Sequence, residues 1–318
     1  MKIGLDVMGG DYAPDATIAG AILAQKEIDK SDKIVLIGDE QIIHTKLKEF
    51  NADVNDFEIV HATDVIGMGE KPIKAFTQKP NSSISIGFKM LKSKKIDAFS
   101  SAGNTGAVLV GAMYSVNTIP GVIRPSIAGL IPKENGGLSL LLDIGANPDS
   151  KPDVLYQFAI LGSIYAKCVM GINNPRVGLL NIGEEEEKGN LQCQATFQLM
   201  KDTKDFNFVG NVESRELFKD SVDIFVCDGF IGNIILKQIE AMYTLLVKRK
   251  LTDDYFNRFN YENFGGSPIL GINSSVLIGH GISNDIAIKN MLLLSKEITI
   301  NKLSEKINEA MTKYAQPD

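Results

Sequence analysis

The stretch GLLNIGEEEEKGN, residues 178–190, decides the fold class. Gly178–Leu180 closes a near-continuous apolar run, and such a run, bounded by turn residues, reads as a strand buried on both faces. Asn-Ile-Gly ends it, and four glutamates and Lys-Gly-Asn follow. Buried strands of this kind recur along the chain. They begin at Lys2, Lys33, Phe57, Asp97, Ser126, Leu138, Arg176, Phe206, Val222 and Ser275. Helical stretches separate most of them, at Pro14–Asp29, Ser82–Lys94, Pro152–Met170 and Ile231–Lys250. Apolar strands alternating with helices predict an α/β protein: a mainly parallel sheet with helices on both faces.

The chain of 318 residues is 44% hydrophobic and 23% charged, enough to bury a large core. No repeat or low-complexity linker divides it, so one domain over 1–318 is expected. The charged segment 248–266 reads as either a mobile flap or an irregular loop. A net charge of -6 supplies no global field to gather nucleic acid, so none is expected as a partner. Cys168, Cys193 and Cys227 are too far apart for a C-x-x-C site and read as reduced thiols. The N-terminus enters a strand at once, with no leader pattern. The apolar run 154–172 is long enough to span a membrane, but Gln157, Ser163 and Lys167 interrupt it, and burial in a core or a subunit interface is the reading taken.

Six strand ends share one chemistry: DVMGGD (6–11), SSAGNTGA (100–107), LDIGANPD (142–149), LNIGEEEEKGN (180–190), CDGFIGN (227–233) and GHGISND (279–285). In parallel sheets ligands bind outside the carboxyl ends of strands, where helix N-termini favour anions. One such turn is an ordinary cap; six predict a phosphate-type or acyl-type site. Neither G-x-G-x-x-G, the P-loop pattern nor G-x-S-x-G occurs.

These motifs, with GNVE (210–213), VCDGFIGNIILK (226–237) and FGGSPILG (264–271), stand in the order and spacing of the bacterial phosphate acyltransferase family. The chain resembles that family over essentially its whole length. The resemblance implies transfer of a long-chain fatty acyl group from acyl carrier protein to inorganic phosphate, giving acyl phosphate for phospholipid synthesis. It implies a fold similar to isocitrate dehydrogenases and phosphotransacetylases, a homodimer, and no metal or organic cofactor. It also implies a cytoplasmic protein, peripheral at the inner face of the membrane, beside a membrane glycerol-phosphate acyltransferase. Val7 and Ser267 replace residues that are commonly alanine in the family. The stretch between GNIILK and FGGSP is shorter than in many relatives, whose extra amphipathic piece there is where membrane contact is expected.

Phosphate attack on a thioester needs little acid or base help, because phosphate is largely a dianion and the thiol, with a pKa of about 8.5, leaves readily. The protein must hold phosphate against the carbonyl and stabilise the oxyanion. The candidate catalytic residues are Lys188, Asn181, His280 and Asp228. The candidate substrate-binding residues are Asp6, Gly9, Gly10, Asp11, Gly103, Asn104, Thr105, Gly106, Asp143, Asn147, Asn190 and Asn233. SAGNTGA is the first choice for the anion cradle; Asp143 is expected to orient a loop or a lysine, and His280 reads equally as a structural histidine. Consecutive helical residues diverge by about 100°, so four glutamates cannot face one site. They read as a helix first turn, where the dipole favours acids. Cys227 reads as a buried small hydrophobe. An acidic carrier protein calls for a basic docking face, with Lys89–Lys95 and Lys248–Lys250 as candidates. A short-chain phosphotransacetylase and a non-catalytic scaffold docking the carrier stand as alternatives. A decarboxylating hydroxyacid dehydrogenase is disfavoured, because its five arginines are scattered and no dinucleotide fingerprint is present.

Overall fold

In the computed structural model, which describes residues 1–314, the strands in chain order are β1 (Lys2–Asp6), β2 (Lys33–Gly38), β3 (Phe57–His61), β4 (Ala98–Ser101), β5 (Ser126–Pro132), β6 (Leu138–Leu142), β7 (Arg176–Asn181), β8 (Asn207–Glu213), β9 (Ile224–Val226), β10 (Ser267–Leu270) and β11 (Ser275–Ile278). The helices are α1 (Asp15–Glu27), α2 (Glu40–Glu49), α3 (Pro72–Gln78), α4 (Ser83–Lys92), α5 (Thr105–Gly111), α6 (Pro152–Cys168), α7 (Leu191–Met200), α8 (Gly229–Lys248), α9 (Asp254–Asn257), α10 (Asp285–Ile300) and α11 (Leu303–Tyr314). Every strand expected from the sequence forms. One was missed: β10, hidden in the Gly- and Pro-rich FGGSPILG.

Chain contacts divide the protein into two compact units, a finer division than the single domain expected. Unit 1 comprises Met1–Thr118 and Tyr261–Ser304; unit 2 comprises Ile119–Asn260 and the chain from Glu305 onward. In unit 1 the strand order is β3-β2-β1-β4-β11-β10, parallel except for β10 against β11. In unit 2 it is β5-β6-β9-β7-β8, parallel except for β5 against β6. The central strands are buried on both faces, which is why they read as unbroken apolar runs: Ile3, Leu5, Val35, Leu36 and Phe99 in unit 1, and Leu140, Leu141, Val177 and Phe225 in unit 2, are all fully enclosed.

Two apolar helices fare differently: α6 is buried in the core, one of the two places the sequence reading allowed, and α8 is not. The buried residues of α6, among them Leu155, Phe158, Ala159, Leu161 and Tyr165, are covered within the protein's own fold, so no partner subunit is needed to hide it. The 20-residue α8 is the exposed one, with only Gly229 and Gly232 buried. Among the described helices it alone is long and apolar enough to cross a membrane by length and composition. The segment after it includes the short helix α9 and is fixed to its surroundings by side-chain contacts. Within unit 2, the Arg258 guanidinium donates to the carbonyls of Lys133, Gly136 and Gly137 at 2.8, 2.6 and 2.7 Å, and Phe259 packs edge-on against Phe218.

At the amino ends of β7 and β9 a buried ion network ties unit 2 together. Lys133, 3% exposed, donates to Asp223 at 2.7 Å and Asp220 at 3.0 Å, and Arg176 grips both oxygens of Asp223. Burial works to raise the Asp223 carboxyl, but the hydrogen bonds from Arg176 and Lys133 outweigh it and hold the group well below the usual carboxylate range. A carboxyl depressed in the fold stabilises above its unfolded pKa of about 3.9 and loses that contribution as pH falls through its folded value. Asp223→Asn should therefore cost about 1–3 kcal/mol at neutral pH, because Lys133 would stay buried with weaker partners. Denaturant melts of both proteins should converge as pH is lowered below about 4; a difference unchanged by pH would mean that charge is not what Asp223 contributes.

Candidate active site at the strand ends

Each unit organises its strand ends around one buried carboxylate. In unit 1 this is Asp6, 1% exposed at the end of β1. It accepts from the Ser101 hydroxyl at 2.7 Å, from the Met8 amide at 3.1 Å, and from Ser83 and the Gly9 amide. Burial pushes its pKa up, and these donors pull it back without fully offsetting the rise. The Ser101 hydroxyl also accepts from the Gly103 amide at 3.0 Å, so one network fixes the loops after β1 and β4. They approach so closely that a Cβ at Gly9 would lie 2.7 Å from the Gly103 nitrogen. The loop after β11 joins them through the Asp11 amide, which donates to the Gly281 carbonyl at 2.7 Å. His280 sits half-buried in that loop with its ring edge-on to Tyr261 at 5.4 Å. Gly10 carries φ +108 at the same turn.

Asn104, placed in the anion cradle by sequence, is already committed in this structure. Its Oδ1 caps α5 by accepting from the Ala107 amide at 3.0 Å. Its Nδ2 donates to the carbonyls of Gly67, Met68 and Glu70 at 3.1, 3.1 and 3.0 Å. Both ends of the side chain are used, so Asn104 clips the loop after β3 onto α5, leaving Thr105 exposed and Gly106 half-buried in the first turn of that helix. The loop 62–71 is a seventh Gly-bearing strand end; Gly67 and Gly69 just after a strand were the signal for it.

In unit 2 the matching group is Asp143, fully buried after β6. Its oxygens accept from the Ile127 amide at 2.9 Å, the Asn147 amide at 2.6 Å and the Asn147 side chain at 3.0 Å. Burial again raises its pKa against these donors. Asn147 passes the order on: its Nδ2 also donates to Pro125, and its carbonyl accepts from the Gly229 amide at 2.8 Å, docking the first turn of α8. Asp228 caps α8 through the Ile231 amide at 2.9 Å, and Asn233 donates to the Ile144 carbonyl at 2.9 Å.

The acid run corrects the sequence reading: Glu184–Glu187 form bends and a turn, not a helix start. Helix α7 begins at Leu191 with Asn190 as its cap, accepting from the Cys193 amide at 2.9 Å. The Asn181 side chain donates to the Lys188 carbonyl at 3.1 Å and accepts from Ile182, closing the loop on itself. Gly189, at φ +85, makes the turn. All four glutamates are exposed, and Glu186 reaches Lys201 only at 3.8 Å. The Lys188 ammonium is exposed and has no hydrogen bond or ion pair among the described residues. Gln192 donates to the Ser150 carbonyl, bringing the start of α7 to the loop after β6. The hydroxyls of Ser126 and Ser150 are buried beside this cluster without a protein partner, as is Ser283 in unit 1. Cys227 is buried and its thiol is pushed well up by desolvation, which removes it as a nucleophile.

Unit 1 therefore brings together Asp6, Gly9, Gly10, Asp11, Gly103, Asn104, Thr105, Gly106 and His280. Unit 2 brings together Asp143, Asn147, Asn181, Lys188, Asn190, Asp228 and Asn233. Sequence reasoning missed Ser83, Ser126, Ser150 and Gln192, which depend on tertiary neighbours and carry no local signature, and passed over Ser101 inside the SSAGNTGA motif.

The chain matches the family model "Fatty acid synthesis protein" over residues 1–306. It is 41% identical to a phosphate acyltransferase of Dictyoglomus turgidum, over 98% of each chain, and 42% identical to one of Halothermothrix orenii, over 95% of this chain and 96% of that one. Among solved structures it resembles a phosphotransacetylase from Streptococcus pyogenes (TM-score 0.65, 16% identity, 94% of each chain) and the EutD phosphotransacetylase from Staphylococcus aureus (TM-score 0.63, 16% identity, 94% of each chain). These two share its α/β fold.

The close approach at the start of α8 is testable. A Cβ at Gly232 would overlap the Asp143 carbonyl oxygen. Gly232→Ala should force α8 away from the β6 loop and destabilise by about 1–3 kcal/mol, read from chemical denaturation. A variant as stable as the parent would show that α8 docks elsewhere.

Proposed function

The chain belongs to the fatty acid synthesis protein family, with the phosphate acyltransferases as its relatives, and from that premise we propose that it moves a long-chain fatty acyl group from acyl carrier protein to inorganic phosphate. A phosphate oxygen attacks the thioester carbonyl, the C–S bond breaks, the thiolate leaves and takes a proton from solvent, and acyl phosphate is released for phospholipid synthesis. The observation that carries this reading is the division of charge in unit 2. Asp143 and Asp228 spend their carboxylates on loop and cap amides, while Lys188, exposed two residues before the Asn190 cap of α7, has no hydrogen bond or ion pair from its ammonium among the described residues. An anion there meets a cation and helix donors, with Asn181 and Asn190 in the same loop. A short-chain phosphotransacetylase would show the opposite preference among acyl donors, and a scaffold would turn over none.

The work of such an enzyme is cytoplasmic, at the inner face of the membrane, where a membrane glycerol-phosphate acyltransferase consumes its product. The reading includes a homodimer. Ile231, Ile234, Met242 and Leu245 are each at least two-fifths exposed and fall on one stripe of α8, an apolar face suited to a second copy.

Purified protein should release free carrier protein from a long-chain acyl carrier only when phosphate is added, without any metal and in the presence of chelator; phosphate-independent release would overturn the reading. Lys188→Ala should lower kcat/KM for phosphate on the order of tenfold to a hundredfold, the value of one charge-assisted hydrogen bond, whereas Glu186→Gln should change little. The reverse pattern would move the site to the acid run. Ile234→Glu with Leu245→Glu should convert the dimer to a monomer by light scattering at micromolar concentration, and a dimer that persists would place the contact on another face.

A further inference from the structure

Both basic clusters singled out by sequence lie far from the strand ends where a thioester must react. In unit 1, α4 starts beside Asp6, because Ser83 hydrogen-bonds its carboxylate. Ten residues at 1.5 Å each carry the helix about 15 Å from there. Lys92, Lys94 and Lys95 thus arrive at the amino ends of the strands, where the Asp97 amide donates to the Lys2 carbonyl at 2.7 Å. In unit 2, Lys248–Lys250 end the 20-residue α8, about 30 Å from Asp228 at its start.

Helix α3 sits at the correct end. Its first residue, Pro72, backs directly onto Gly106, where any Cβ would overlap the proline ring. The Asn104 side chain holds the preceding loop through three carbonyls. Beyond this clip, Lys71 and Lys74 are exposed, and neither has an ion-pair partner among the described residues. Between them Ile73 is 64% exposed, and with Pro72, Thr77 and Gln78 they line an open notch of about 500 Å³. Met68, 45% exposed, extends the apolar surface on the preceding loop. Glu70, the carboxylate next to Lys71 in the chain, is neutralised by Lys79 at 2.5 Å and by the Gly67 amide at 2.7 Å, so it does not cancel the two cations.

We propose that the Lys71–Ile73–Lys74 face of α3 is the docking surface for the acidic carrier protein, whose flexible arm then delivers its thioester to the adjacent strand ends. This rests on the acyl-carrier reading above. Two cations flanking one apolar anchor in a notch are complementary to an acidic helix that presents one apolar side chain. A membrane surface would instead call for a broad apolar helix face, which seven residues do not provide.

The test is the double reversal K71E/K74E, with K92E/K95E as control, in the full-length protein. Binding of the holo carrier protein is read by fluorescence anisotropy, and turnover with phosphate is read separately with the carrier thioester and with a small acyl-pantetheine thioester. Like charge facing like charge should weaken carrier binding and raise its KM at least tenfold, on the order expected for such juxtapositions, and should remove most of the salt dependence. Turnover of the small thioester should be unchanged, and the control should match the parent. Unchanged carrier binding in K71E/K74E, weakening in K92E/K95E instead, or loss of binding only to anionic phosphatidylglycerol vesicles would each overturn the proposal. Failure of the parent to use either thioester with phosphate would overturn the function instead, while the binding result would still stand.

Discussion

The strand ends hold their shape because each unit buries a carboxylate beneath them. Asp6 and Asp143 are nearly or fully enclosed, and desolvation alone would make either group expensive. Amides and side chains of the surrounding loops supply the compensation, so the loops cannot move without exposing an unsatisfied carboxylate. Both pKa values remain raised, so the fold holds these protons more tightly than the unfolded chain does. Their net contribution to stability therefore falls as pH rises from the ordinary carboxylate range through the raised value. The protein accepts that cost in exchange for fixed loops, a use of buried polar groups suited to a site whose main task is positioning.

The fold was legible because its strands are buried on both sides. Runs such as Ile34–Ile37 and Leu140–Leu142 have no polar face to confuse their period, and the helices between them force parallel connections. Strand β10 was not legible, because Pro268 and the flanking glycines read as a loop and its pairing, such as that with β11, does not show in the local pattern. The two-unit division was hidden for another reason: unit 1 is assembled from segments more than a hundred residues apart, with no linker composition to mark the join. Helices α6 and α8 are both apolar, and hydrophobicity alone cannot tell a covered helix from an exposed one.

The candidate site was legible as a set of loops and less so as a set of roles. Gly, Asn and Asp after each strand predicted where polar groups gather, and in each unit they do gather. Asn104 and Asn190 show what the sequence could not decide. Each is an ordinary helix cap, yet Asn104 also grips three carbonyls contributed from more than thirty positions away, which only the tertiary structure reveals. The glutamate run was misread because dipole logic places acids in a first helical turn. Here the cap falls at Asn190, after the run, and the acids are left in water.

Anion chemistry among so many acidic residues needs an account of where their charge goes. Near the strand ends Asp143 and Asp228 in unit 2, and Asp6 in unit 1, direct their oxygens at amides, hydroxyls and caps, so each field is largely spent locally. Glu70 is spent on Lys79 in the same way. Lysines are treated in the opposite manner. Lys133, at the amino ends, is buried and doubly paired, whereas Lys71, Lys74 and Lys188, at the carboxyl ends, are left open. In a protein with a net charge of -6, Lys188 gives unit 2 a local attraction for anions just before α7, while Lys71 and Lys74 give unit 1 a face for an acidic partner.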